Sequence, residues 1–538
     1  MRREPDVTVV VAVYNTMPYL TECLDSLIGQ SIGLERLEVV AVDDGSTDGS
    51  GAELDRYAER HPDVVKVLHQ PNSGGPAAPS NRALDVATGR FVYFIGADDH
   101  LGEEALERMV SAADANEADV VVGKMVGTNG RYVHQKLYDG NHPDVSLYDS
   151  ALPFTLANTK LFRRELVEKH SLRFPEDMPV GSDQPFTIEA CVRARKISVV
   201  SDYTCYYAVK RGDASNITYR ANHLARLRCV ERIMEHTAGL IPAGPQRDAV
   251  LKRHFDWELS KLLQQDFPAL DLDTRRQVCE GVGALVDAYF TDGLRDGTGV
   301  KRRVRFGLAR SGAVEELTRA ITEETEHGAP PFLLEGDRAL ATYPGFRDPA
   351  VGLDDRYYEV RETVVGRLSA GTRLESADWE QHGTELFAVV NLRVGVTGDL
   401  SSAVVALAQG AMPQSADKPG ARKLPGDAAR PKRVGTLTTG AAEDGGTLLT
   451  ARIPLAPTRS KRGVRLYVDV AGSTYEIPVR TEGRPMPLAR RWGTDEPHRV
   501  AASTNSKGRL VITTAPLREP KSGVGARLRR TLSRSKRK

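Results

Sequence analysis

Cysteine is scarce in this sequence, with five residues in a chain of 538. No two of them form a CxxC pair, and none lies beyond residue 279. An odd and scattered set argues against a disulfide framework and is typical of a protein kept in a reducing compartment. The five are Cys23, Cys191, Cys205, Cys229 and Cys279.

Long apolar runs are also missing. No segment approaches the roughly 18 consecutive apolar residues that a membrane-spanning helix needs. The N-terminus "MRREPDVTVVVAVYN" begins like a signal peptide, but its apolar run ends in Tyr14-Asn15 without the small residues of a cleavage site. We therefore interpret this run as a first β-strand and expect a cytoplasmic protein.

Neither sign of charge dominates, because 73 Lys and Arg residues face 72 Asp and Glu residues. This balance gives no field that would favour nucleic acid, so no nucleic-acid partner is expected. One local excess exists, since residues 521–538 contain eight basic side chains and no acidic one. Such a tail either binds peripherally to an anionic surface, here the inner face of the plasma membrane, or is a disordered, solubilising end.

The N-terminal part alternates between apolar strands and amphipathic helices. β-branched runs without polar alternation predict strands buried on both faces, as in an α/β fold built from βαβ units. The predicted strands are 7–14, 37–44, 64–69, 90–96 and 118–125, and the predicted helices are 19–30, 48–61, 76–88 and one that begins near 103.

The character of the chain changes twice further on. From about residue 220 to 326 apolar residues recur at helical spacing, and after "HGAPP" short alternating segments predict an antiparallel β-sandwich. We therefore predict four parts: an α/β domain at 1–218, a helical linker region at 219–328, a β-sandwich at 329–520 and the basic tail at 521–538.

Polar clusters close three of the predicted strands, in the motifs "VAVYN", "VVAVDDGSTDGS" and "FIGADD". Ligands bind at this end of the strands in open α/β sheets. With "NSGGPAAPSNR" at 72–82 and "GSDQPF" at 181–186, the ordered set resembles the family 2 inverting glycosyltransferases, which use nucleotide-diphospho sugars on a GT-A fold. The resemblance covers roughly residues 5–215 and implies a Rossmann-like, mainly parallel sheet and a UDP-sugar donor.

The first two motifs are expected to hold the base of the nucleotide. A uracil ring needs a hydrogen-bond acceptor for its imide N–H and an apolar or aromatic wall. The resemblance assigns the acceptor to Asp43 or Asp44, with Asp43 favoured, and the wall to Ala12 and Tyr14. The alternative for "DDGSTD" is an ordinary turn glycine and helix N-cap.

The segment "NSGGPAAPSNR" enters a predicted helix, where the backbone can approach a ligand closely and free amides favour anions. We expect Asn72, Asn81 and Arg82 near the nucleotide-sugar. Family members often have an arginine where this chain has Ser80, and Arg82 would substitute for it. The alternative is a plain loop–helix junction.

Asp98 and Asp99 align with the family's metal motif, which implies Mn²⁺ or Mg²⁺ between these carboxylates and the sugar diphosphate. Gly96 stands where the family usually has a further aspartate. Mg²⁺ keeps several waters and needs one or two protein carboxylates, so the pair is sufficient, with Asp98 the better ligand. The alternative is a solvated acidic turn before the helix near residue 103.

An inverting transfer needs a base that takes the proton of the acceptor hydroxyl. Asp183 opens a predicted helix and matches the aspartate of the family's Glu-Asp pair, with Ser182 in place of the glutamate. The helix start holds the carboxylate rigidly, although the helix dipole lowers its pKa. We expect Asp183 to be the base; the alternative is a plain N-cap.

The segment "YYAVKRGDASNIT" at 206–218 supplies Lys210, Arg211 and Ser215, which by the resemblance reach the diphosphate. The alternative is a surface loop. His100 and His134 have no supporting context.

The sequence lacks the motifs that three rival classes of protein require. A nucleotidyltransferase needs a glycine-rich basic loop after the first strand, where this chain has "AVYNTMPYL", and a dinucleotide dehydrogenase needs GxGxxG there. A processive polysaccharide synthase would carry a Gln-x-x-Arg-Trp motif and membrane helices, but "LARRW" at 488–492 lacks the glutamine.

A narrower likeness connects "FIGADD" and "SDQPF" with the wall teichoic acid β-N-acetylglucosaminyltransferases of Gram-positive bacteria. It implies transfer of a hexose or N-acetylhexosamine from a UDP-sugar to a hydroxyl of a cell-envelope polymer, such as teichoic acid or another glycan. It also implies that the β-sandwich binds polymer or mediates self-association, as a trimer or dimer. The alternative is a catalytically degenerate glycopolymer-binding protein, for which Gly96 is the best argument.

Overall fold

The computed structural model of the chain describes most of its residues. Ser215 and the tail at 521–538 lie outside the described part. The chain forms two compact units, residues 1–298 with 309–321 and residues 299–308 with 322–538. The described ranges are 4–211, 222–335, 338–360, 368–369, 371–398, 400–409, 422–425, 431–432, 434–442, 446–470, 472–493 and 496–517.

The first unit is built on an eight-stranded sheet with the order β3-β2-β1-β4-β7-β6-β8-β5. Strands β1 to β4 run parallel, as do β6 and β8, whereas β7 is antiparallel to both of its neighbours and β5 is antiparallel to β8. The predicted mainly parallel, GT-A-like sheet is confirmed. The strands are β1 Val7–Val13, β2 Leu37–Asp43, β3 Val65–His69, β4 Phe91–Gly96, β5 His100–Leu101, β6 Val120–Gly127, β7 Leu161–Arg163 and β8 Ile197–Ala208.

Helices cover both faces of this sheet, which explains the continuous apolar strands. Val9 and Val11 of β1 belong to one hydrophobic core, and Val10 between them belongs to the other. Side chains that alternate along this strand thus pack into two hydrophobic cores, one on each face of the sheet, so neither face needs polar residues. The helices are α1 Tyr19–Ile28, α2 Ser50–Arg60, α3 Ala77–Leu84, α4 Ala105–Asn116, α5 Arg164–Lys169 and α6 Asp183–Arg193.

The helical region begins where Asn222 caps α7 by accepting a hydrogen bond from the Ala225 amide at 2.8 Å. A π-helix at His254–Leu259 follows α8 directly. None of the described helices is long and apolar enough to span a membrane. The helices are α7 His223–Leu240, α8 Pro245–Arg253, α9 Ser260–Leu262, α10 Leu272–Tyr289, α11 Asp292–Asp296, α12 Val300–Arg310 and α13 Val314–His327.

The second unit contains three sheets, with the orders β10-β9-β13, β11-β12-β17-β16 and β15-β19-β18-β22-β21-β20; β14 also pairs with β18. All pairs are antiparallel except β9 with β13, so the predicted antiparallel C-terminal fold is confirmed. The first strands are β9 Phe332–Glu335, β10 Arg338–Ala341, β11 Arg373–His382, β12 Glu385–Val394, β13 Val396–Gly398, β14 Val404–Ala408 and β15 Arg422–Lys423. The others are β16 Thr436–Ala441, β17 Thr447–Pro454, β18 Ser460–Val470, β19 Ser473–Pro478, β20 Arg490–Trp492, β21 His498–Thr504 and β22 Leu510–Pro516.

Candidate active site

Asp43 is the last residue of β2 and is buried. One of its carboxylate oxygens accepts a hydrogen bond from the Ser46 amide at 3.0 Å, and the other lies 3.1 Å from Nδ1 of His69. Nε2 of His69 lies 2.9 Å from Asp55, and the pKa of His69 is raised because both carboxylates bond to its ring. Asp43 is therefore a fixed acceptor at the carboxyl end of its strand.

Asp44 organises the segment that follows β3. Its carboxylate accepts hydrogen bonds from Nε2 of Gln70 at 2.6 Å and from the Ser73 hydroxyl at 2.9 Å. The Ser73 amide reaches both carboxylate oxygens, at 3.1 and 3.0 Å. Asn72 donates to the Asp44 carbonyl at 3.1 Å. Asp44 thus shapes the glycine-rich loop, and the choice of Asp43 as the acceptor for a base stays a prediction.

The loops after β1 and β2 are tied together. Asn15 has a φ of +50°, and its side chain accepts a hydrogen bond from the Thr47 amide at 2.8 Å. Its own amide donates to the Ser46 hydroxyl at 3.1 Å. Tyr14, between these anchors and the strand, is 40% exposed and is free to form a wall for a ligand.

Asn81 and Arg82 have different surroundings on α3. The Asn81 oxygen accepts from the Phe174 amide at 2.8 Å, and its nitrogen donates to the Phe174 carbonyl and to Glu176, each at 2.9 Å. Arg82 donates to the His69 carbonyl at 2.8 Å, at the end of β3. Asn81 therefore fixes α3 to the segment before α6, whereas Arg82 lies beside the strand ends. Their roles toward a donor stay predictions.

Asp98 follows β4 and is partly buried. Its Oδ2 accepts a hydrogen bond from Nε of Arg211 at 2.7 Å, within an ion pair. The Arg211 guanidinium lies 5.7 Å from the ring centre of Tyr19 on α1. Oδ1 of Asp98 accepts no hydrogen bond from any described residue and is the oxygen open to a cation.

Asp99 is buried and surrounded by donors. Its Oδ1 accepts hydrogen bonds from the Val209 amide at 2.7 Å and from Arg131 at 3.2 Å, and its Oδ2 accepts from the Tyr206 hydroxyl at 2.5 Å. Burial raises the pKa of Asp99 to about 6, the neighbouring charge of Asp98 adds to the rise, and Arg131 opposes it. Asp99 thus ties β4 to the end of β8.

Gly96 leaves room for this arrangement. Its amide donates to the Tyr206 hydroxyl at 3.1 Å. A Cβ at this position would lie 2.9 Å from Oδ2 of Asp99, 3.1 Å from Oδ1 of Asp98 and 3.4 Å from the Tyr206 hydroxyl. The space that a side chain at position 96 needs is therefore filled by the two carboxylates and the tyrosine.

The donor set fits a divalent cation with one protein ligand. The described residues form no group of three or more His, Cys, Asp or Glu side chains that could hold a metal. Asp98 offers one free oxygen, whereas both oxygens of Asp99 already accept hydrogen bonds. Mg²⁺ and Mn²⁺ accept a shell completed by water and substrate phosphate oxygens. Asp98 thus suits the predicted ligand role better than Asp99.

Asp183 is the first residue of α6 and opens into a pocket of about 440 Å³. Ala12 of β1 and Gly96 of β4 line the same pocket. Burial raises the pKa of Asp183, and the charges of Arg253 and Lys160 oppose the rise. The pKa of Asp183 is therefore raised, whereas the helix dipole was expected to lower it. The reason is that desolvation of the carboxylate outweighs the effect of the dipole.

The residue next to Asp183 connects α6 to the π-helix. Oε1 of Gln184 accepts hydrogen bonds from Arg253 at 2.7 Å and from Nε2 of His254 at 3.1 Å. His254 is neutral, because burial lowers its pKa to about 3, and its Nε2 is the donor. Arg253 also lies 3.0 Å from Glu258. Short π-helical segments are frequent at functional sites, and this one supplies Glu258 to the pocket wall.

A buried lysine supports the other side of the pocket. Lys160 is 1% exposed, and its Nζ donates to the carbonyls of Thr155 and Ala157. Burial lowers the pKa of Lys160 to about 8, and the nearby Asp183 charge opposes the lowering. These bonds fix the turn that carries Asn158, which lines the pocket.

Of the predicted diphosphate ligands, Arg211 lies at Asp98, Lys210 is exposed, and Ser215 lies outside the described residues. His100 stacks on Tyr207 with ring centres 4.8 Å apart and does not line the pocket.

Several polar residues of the site were not predicted. Arg131 and Tyr206 meet Asp99 only through the sheet topology, and no local pattern marks them. Arg253 lies in an ordinary amphipathic helix pattern, and Lys160 carries one weak signal, a charge directly before a short apolar strand. Ala12, Asp43, Asp44 and Asp98 lie at the carboxyl ends of β1, β2 and β4 or directly after them. Of these four, Ala12 lines the pocket into which Asp183 opens, whereas the three carboxylates do not line it.

A mainly parallel sheet with carboxylates at its strand ends and a base candidate across a pocket defines a GT-A glycosyltransferase domain. Residues 8–171 match the family described as glycosyl transferase family 2, and residues 226–321 match the family described as glycosyl transferase TarS linker domain. The prediction of a family 2 glycosyltransferase is confirmed.

Several similar curated proteins are named poly(ribitol-phosphate) glycosyltransferases. Over 214 residues the chain is 40% identical to poly(ribitol-phosphate) beta-glucosyltransferase of Bacillus spizizenii, which covers 40% of this chain and 34% of the relative. Over 204 residues it is 40% identical to poly(ribitol-phosphate) beta-N-acetylglucosaminyltransferase TarS of Staphylococcus aureus, covering 38% and 35%. The match thus spans about a third of the length of these curated relatives. The predicted likeness to wall teichoic acid enzymes is confirmed.

Solved structures agree with this likeness. S. aureus TarS 1–349 in complex with UDP-GlcNAc is 28% identical, covers 63% of this chain and 97% of that chain, and superposes with a TM-score of 0.56. The longer S. aureus TarS structure is 21% identical, covers 95% of this chain and 86% of that chain, and has a TM-score of 0.58. At that identity the second comparison shows the fold alone.

Proposed function

We propose that the chain is an inverting glycosyltransferase that moves a hexose or N-acetylhexosamine from a UDP-sugar to a hydroxyl of a phosphate-rich cell-envelope polymer. The observation that carries the proposal is the pocket that joins the strand ends to Asp183. Ala12 and Gly96 line one wall, and Asp183 opens from the other. A donor held at the strand ends and a base opposite it are the two requirements of an inverting transfer.

Asp183 is the base in this proposal. Burial raises the pKa of its carboxyl, which makes it a stronger proton acceptor once it is ionised, and Arg253 favours the ionised form. Asp183 takes the proton of the acceptor hydroxyl as that oxygen attacks the anomeric carbon, on the face opposite the leaving UDP. The product has inverted configuration because the attack is a single displacement.

The nucleotide is recognised at the strand ends. Asp43 accepts the uracil imide N–H, and Tyr14 with Ala12 forms the wall beside the ring. Arg82, with its guanidinium at the end of β3, and Arg211 contact the sugar diphosphate, together with Asn72, Asn81, Lys210 and Ser215. Arg211 bonds to Oδ2 of Asp98 and leaves Oδ1 to a cation, so the arginine stays at Asp98 while its guanidinium contacts a phosphate oxygen.

A divalent cation, Mn²⁺ or Mg²⁺, would be held by Asp98, with Asp99 behind it. When bound, it neutralises the charge of the departing diphosphate. Arg211 holds the side chain of Asp98 through its bond to Oδ2, and the bond from the Val209 amide to Asp99 fixes the next residue of the chain.

The names of the relatives support poly(ribitol phosphate), a teichoic acid, as the acceptor and UDP-N-acetylglucosamine or UDP-glucose as the donor. We extend the proposal to a cytoplasmic enzyme that associates through its β sheets as a trimer or dimer and contacts the inner membrane face through residues 521–538. Equal cosedimentation with anionic liposomes after removal of those residues would contradict the membrane contact.

The central test is UDP release from a panel of UDP- and GDP-sugars, with and without Mn²⁺ and with poly(ribitol phosphate) as acceptor. One UDP-sugar is expected to support transfer, and Asp183→Asn is expected to lower the rate by roughly 10²–10⁴-fold, the usual contribution of a general base. Donor binding by Asp183→Asn, measured by calorimetry, is expected to persist.

Asp139→Asn is the matched control, because its side chain is 75% exposed and does not line the pocket. It should transfer sugar at the wild-type rate. A wild-type protein that binds the polymer but releases no UDP from any donor would establish the glycopolymer-binding alternative instead.

A further inference from the structure

Four arginines lie in register on neighbouring backbone segments of the second unit. Arg393 of β12 is opposite Arg373 of β11, Arg373 pairs with Arg480, and Arg480 pairs with Arg509 just before β22. Adjacent segments of a sheet lie about 4.8 Å apart, so positive charges recur at about this spacing. We call these four residues the arginine row.

The side chains of the arginine row share one face. Each arginine is partly exposed, and the residue that follows it along the chain is buried. Because successive residues of a strand point to opposite faces, the four arginines point to the solvent side. The buried followers are Val394, Leu374, Thr481 and Leu510.

Carboxylates neutralise only part of the row. Arg373 lies 3.3 Å from Glu375 and 3.9 Å from Glu482. Within the described residues, neither Arg480 nor Arg509 has a hydrogen-bonded or ion-paired partner for its side chain. These two arginines face each other directly across the pairing of their segments.

A further arginine, Arg465, lies near Arg509. Arg465 of β18 is buried and is bonded to Glu476, which satisfies that charge locally. Burial lowers the pKa of Arg509, and the charges of Arg465 and Arg480 lower it further. Like charges directly opposite in a sheet are destabilising, so this pairing costs the free protein stability. An anion that sits between the guanidiniums would remove that cost.

We propose that the arginine row is an oxyanion site that takes phosphate groups, with Arg480 and Arg509 as its central ligands. A guanidinium presents paired N–H donors that match two oxygens of a phosphate, and it remains charged at all relevant pH values. The source of the phosphate is either a phosphodiester chain, which several arginines would contact in succession, or free phosphate.

The same sheet offers a matched control. Arg491 of β20 is directly opposite Arg499 of β21, and both are exposed. Water and salt screen such a pair strongly, and it is not continued by arginines on further segments. Replacing it removes the same charge from the same unit without touching the row.

The experiment measures binding of inorganic phosphate and of a synthetic ribitol phosphodiester oligomer by calorimetry to three full-length proteins. These are the wild type, the double variant Arg480→Gln/Arg509→Gln and the control Arg491→Gln/Arg499→Gln. We expect the double variant to lose at least about tenfold in affinity, as charge-assisted bonds to two guanidiniums are removed. The control should stay within about twofold, and wild-type affinity should fall with added salt.

Thermal melting separates a ligand site from a structural one. The double variant should melt at or above the wild-type temperature, because it relieves repulsion. A lower melting temperature would show that the two arginines are structural, and equal affinity losses in both variants would show nonspecific charge attraction. Either result overturns the site.

Binding of the oligomer but not of phosphate identifies a phosphodiester chain as the ligand, and binding of both identifies the phosphate group itself. UDP release without acceptor is read out separately, so a failure of the transfer reaction does not affect this test.

Discussion

At the scale of single residues, the site depends on a missing side chain. The hydrogen atom of Gly96 leaves room for Oδ1 of Asp98, Oδ2 of Asp99 and the Tyr206 hydroxyl, all within 3.4 Å of where a Cβ would stand. The tyrosine hydroxyl then occupies the space that an aspartate at this position would need. Gly96 is therefore a requirement of this arrangement and gives no support to a degenerate site.

Gly96→Ala is expected to lower UDP release by at least about tenfold and to destabilise the protein by about 1–3 kcal/mol, since a methyl group inserted at such contacts forces its neighbours to move. Gly96→Asp should lower activity further and should not tighten Mn²⁺ binding. Gly239→Ala, where a Cβ meets nothing within 4 Å, is the control. Stronger Mn²⁺ activation of Gly96→Asp would show that the site has room for a further ligand.

Asp98 and Asp99 should respond differently to the same change. Asp98→Asn is expected to raise the Mn²⁺ concentration needed for half-maximal UDP release, because it removes the one free carboxylate oxygen. Asp99→Asn should mainly destabilise the fold, by about 1–3 kcal/mol, because its carboxylate accepts bonds from three protein donors. Metal titrations and urea unfolding of both variants check this; a larger Mn²⁺ shift for Asp99→Asn would make Asp99 the ligand.

At the scale of elements, the proposed base is placed by helices from two parts of the first unit. α6 carries Asp183 and Gln184, and the junction of α8 with the π-helix supplies Arg253, which bonds to Gln184 at 2.7 Å. Arg253 acts through its neighbour and its charge, so it is a positioning residue for Asp183. The helical region thus contributes Arg253, Glu258 and Lys261 to the wall of the pocket into which Asp183 opens.

Arg253→Met is expected to move the acidic limb of the pH profile of kcat/KM to higher pH. The base must be ionised to act, and loss of a positive neighbour raises the pKa of Asp183, so a higher pH is needed for the same active fraction. Glu258→Gln removes a negative neighbour and should move the limb to lower pH. If the acidic limb of the pH profile stays at the same pH in both variants, the ionisation that it reports is not that of Asp183.

The helices and strands themselves were largely predictable, because the spacing of apolar residues and the composition of a segment are local properties of the sequence. The predicted strand 37–44 corresponds to β2 at Leu37–Asp43, and the predicted helix 19–30 corresponds to α1 at Tyr19–Ile28. The strand order was not predictable: β7 at Leu161–Arg163 is three residues long and is antiparallel to β4 and β6. Such a strand has too few residues to show a period.

The site was predictable where residues follow strands directly, and not where the fold brings distant segments together. Asp43 and Asp98 are found by their position in the chain. Arg131 reaches Asp99 from a loop after β6, and Lys160 lies next to Asp183 only because β7 inserts between β4 and β6. The sequence carries no local sign of such neighbours.

At the scale of the whole molecule, a buried carboxylate that is paired with arginine lies at or near a strand in each of the two units. Asp119, just before β6, accepts hydrogen bonds from the Arg195 amide and guanidinium at 2.7–2.9 Å and from Arg163 at 3.1 Å. In the second unit Glu476 is bonded to Arg465 and to the Tyr467 hydroxyl. The pKa values of Asp119 and Glu476 are both lowered, since hydrogen bonds and charges from arginines outweigh their burial.

Acid should therefore weaken the fold. A carboxyl whose folded pKa is below its unfolded value contributes stability that is complete above the unfolded pKa and is lost as pH falls through the folded one. For Asp119 the contribution is complete above the ordinary value of 3.8 and fades below it. Asp119→Asn should lower the free energy of unfolding by about 1–3 kcal/mol at pH 7, because the carboxylate loses charge-assisted hydrogen bonds while its partner Arg195 is largely exposed to screening water. Because the wild type itself loses the stabilising contribution of Asp119 in acid, the difference in unfolding free energy between the two proteins should shrink at about pH 3.

Urea unfolding at both pH values measures this difference, with Asp202→Asn as the control, because the side chain of Asp202 is 54% exposed. A difference that stays constant with pH would show that Asp119 acts by packing and not by its charge.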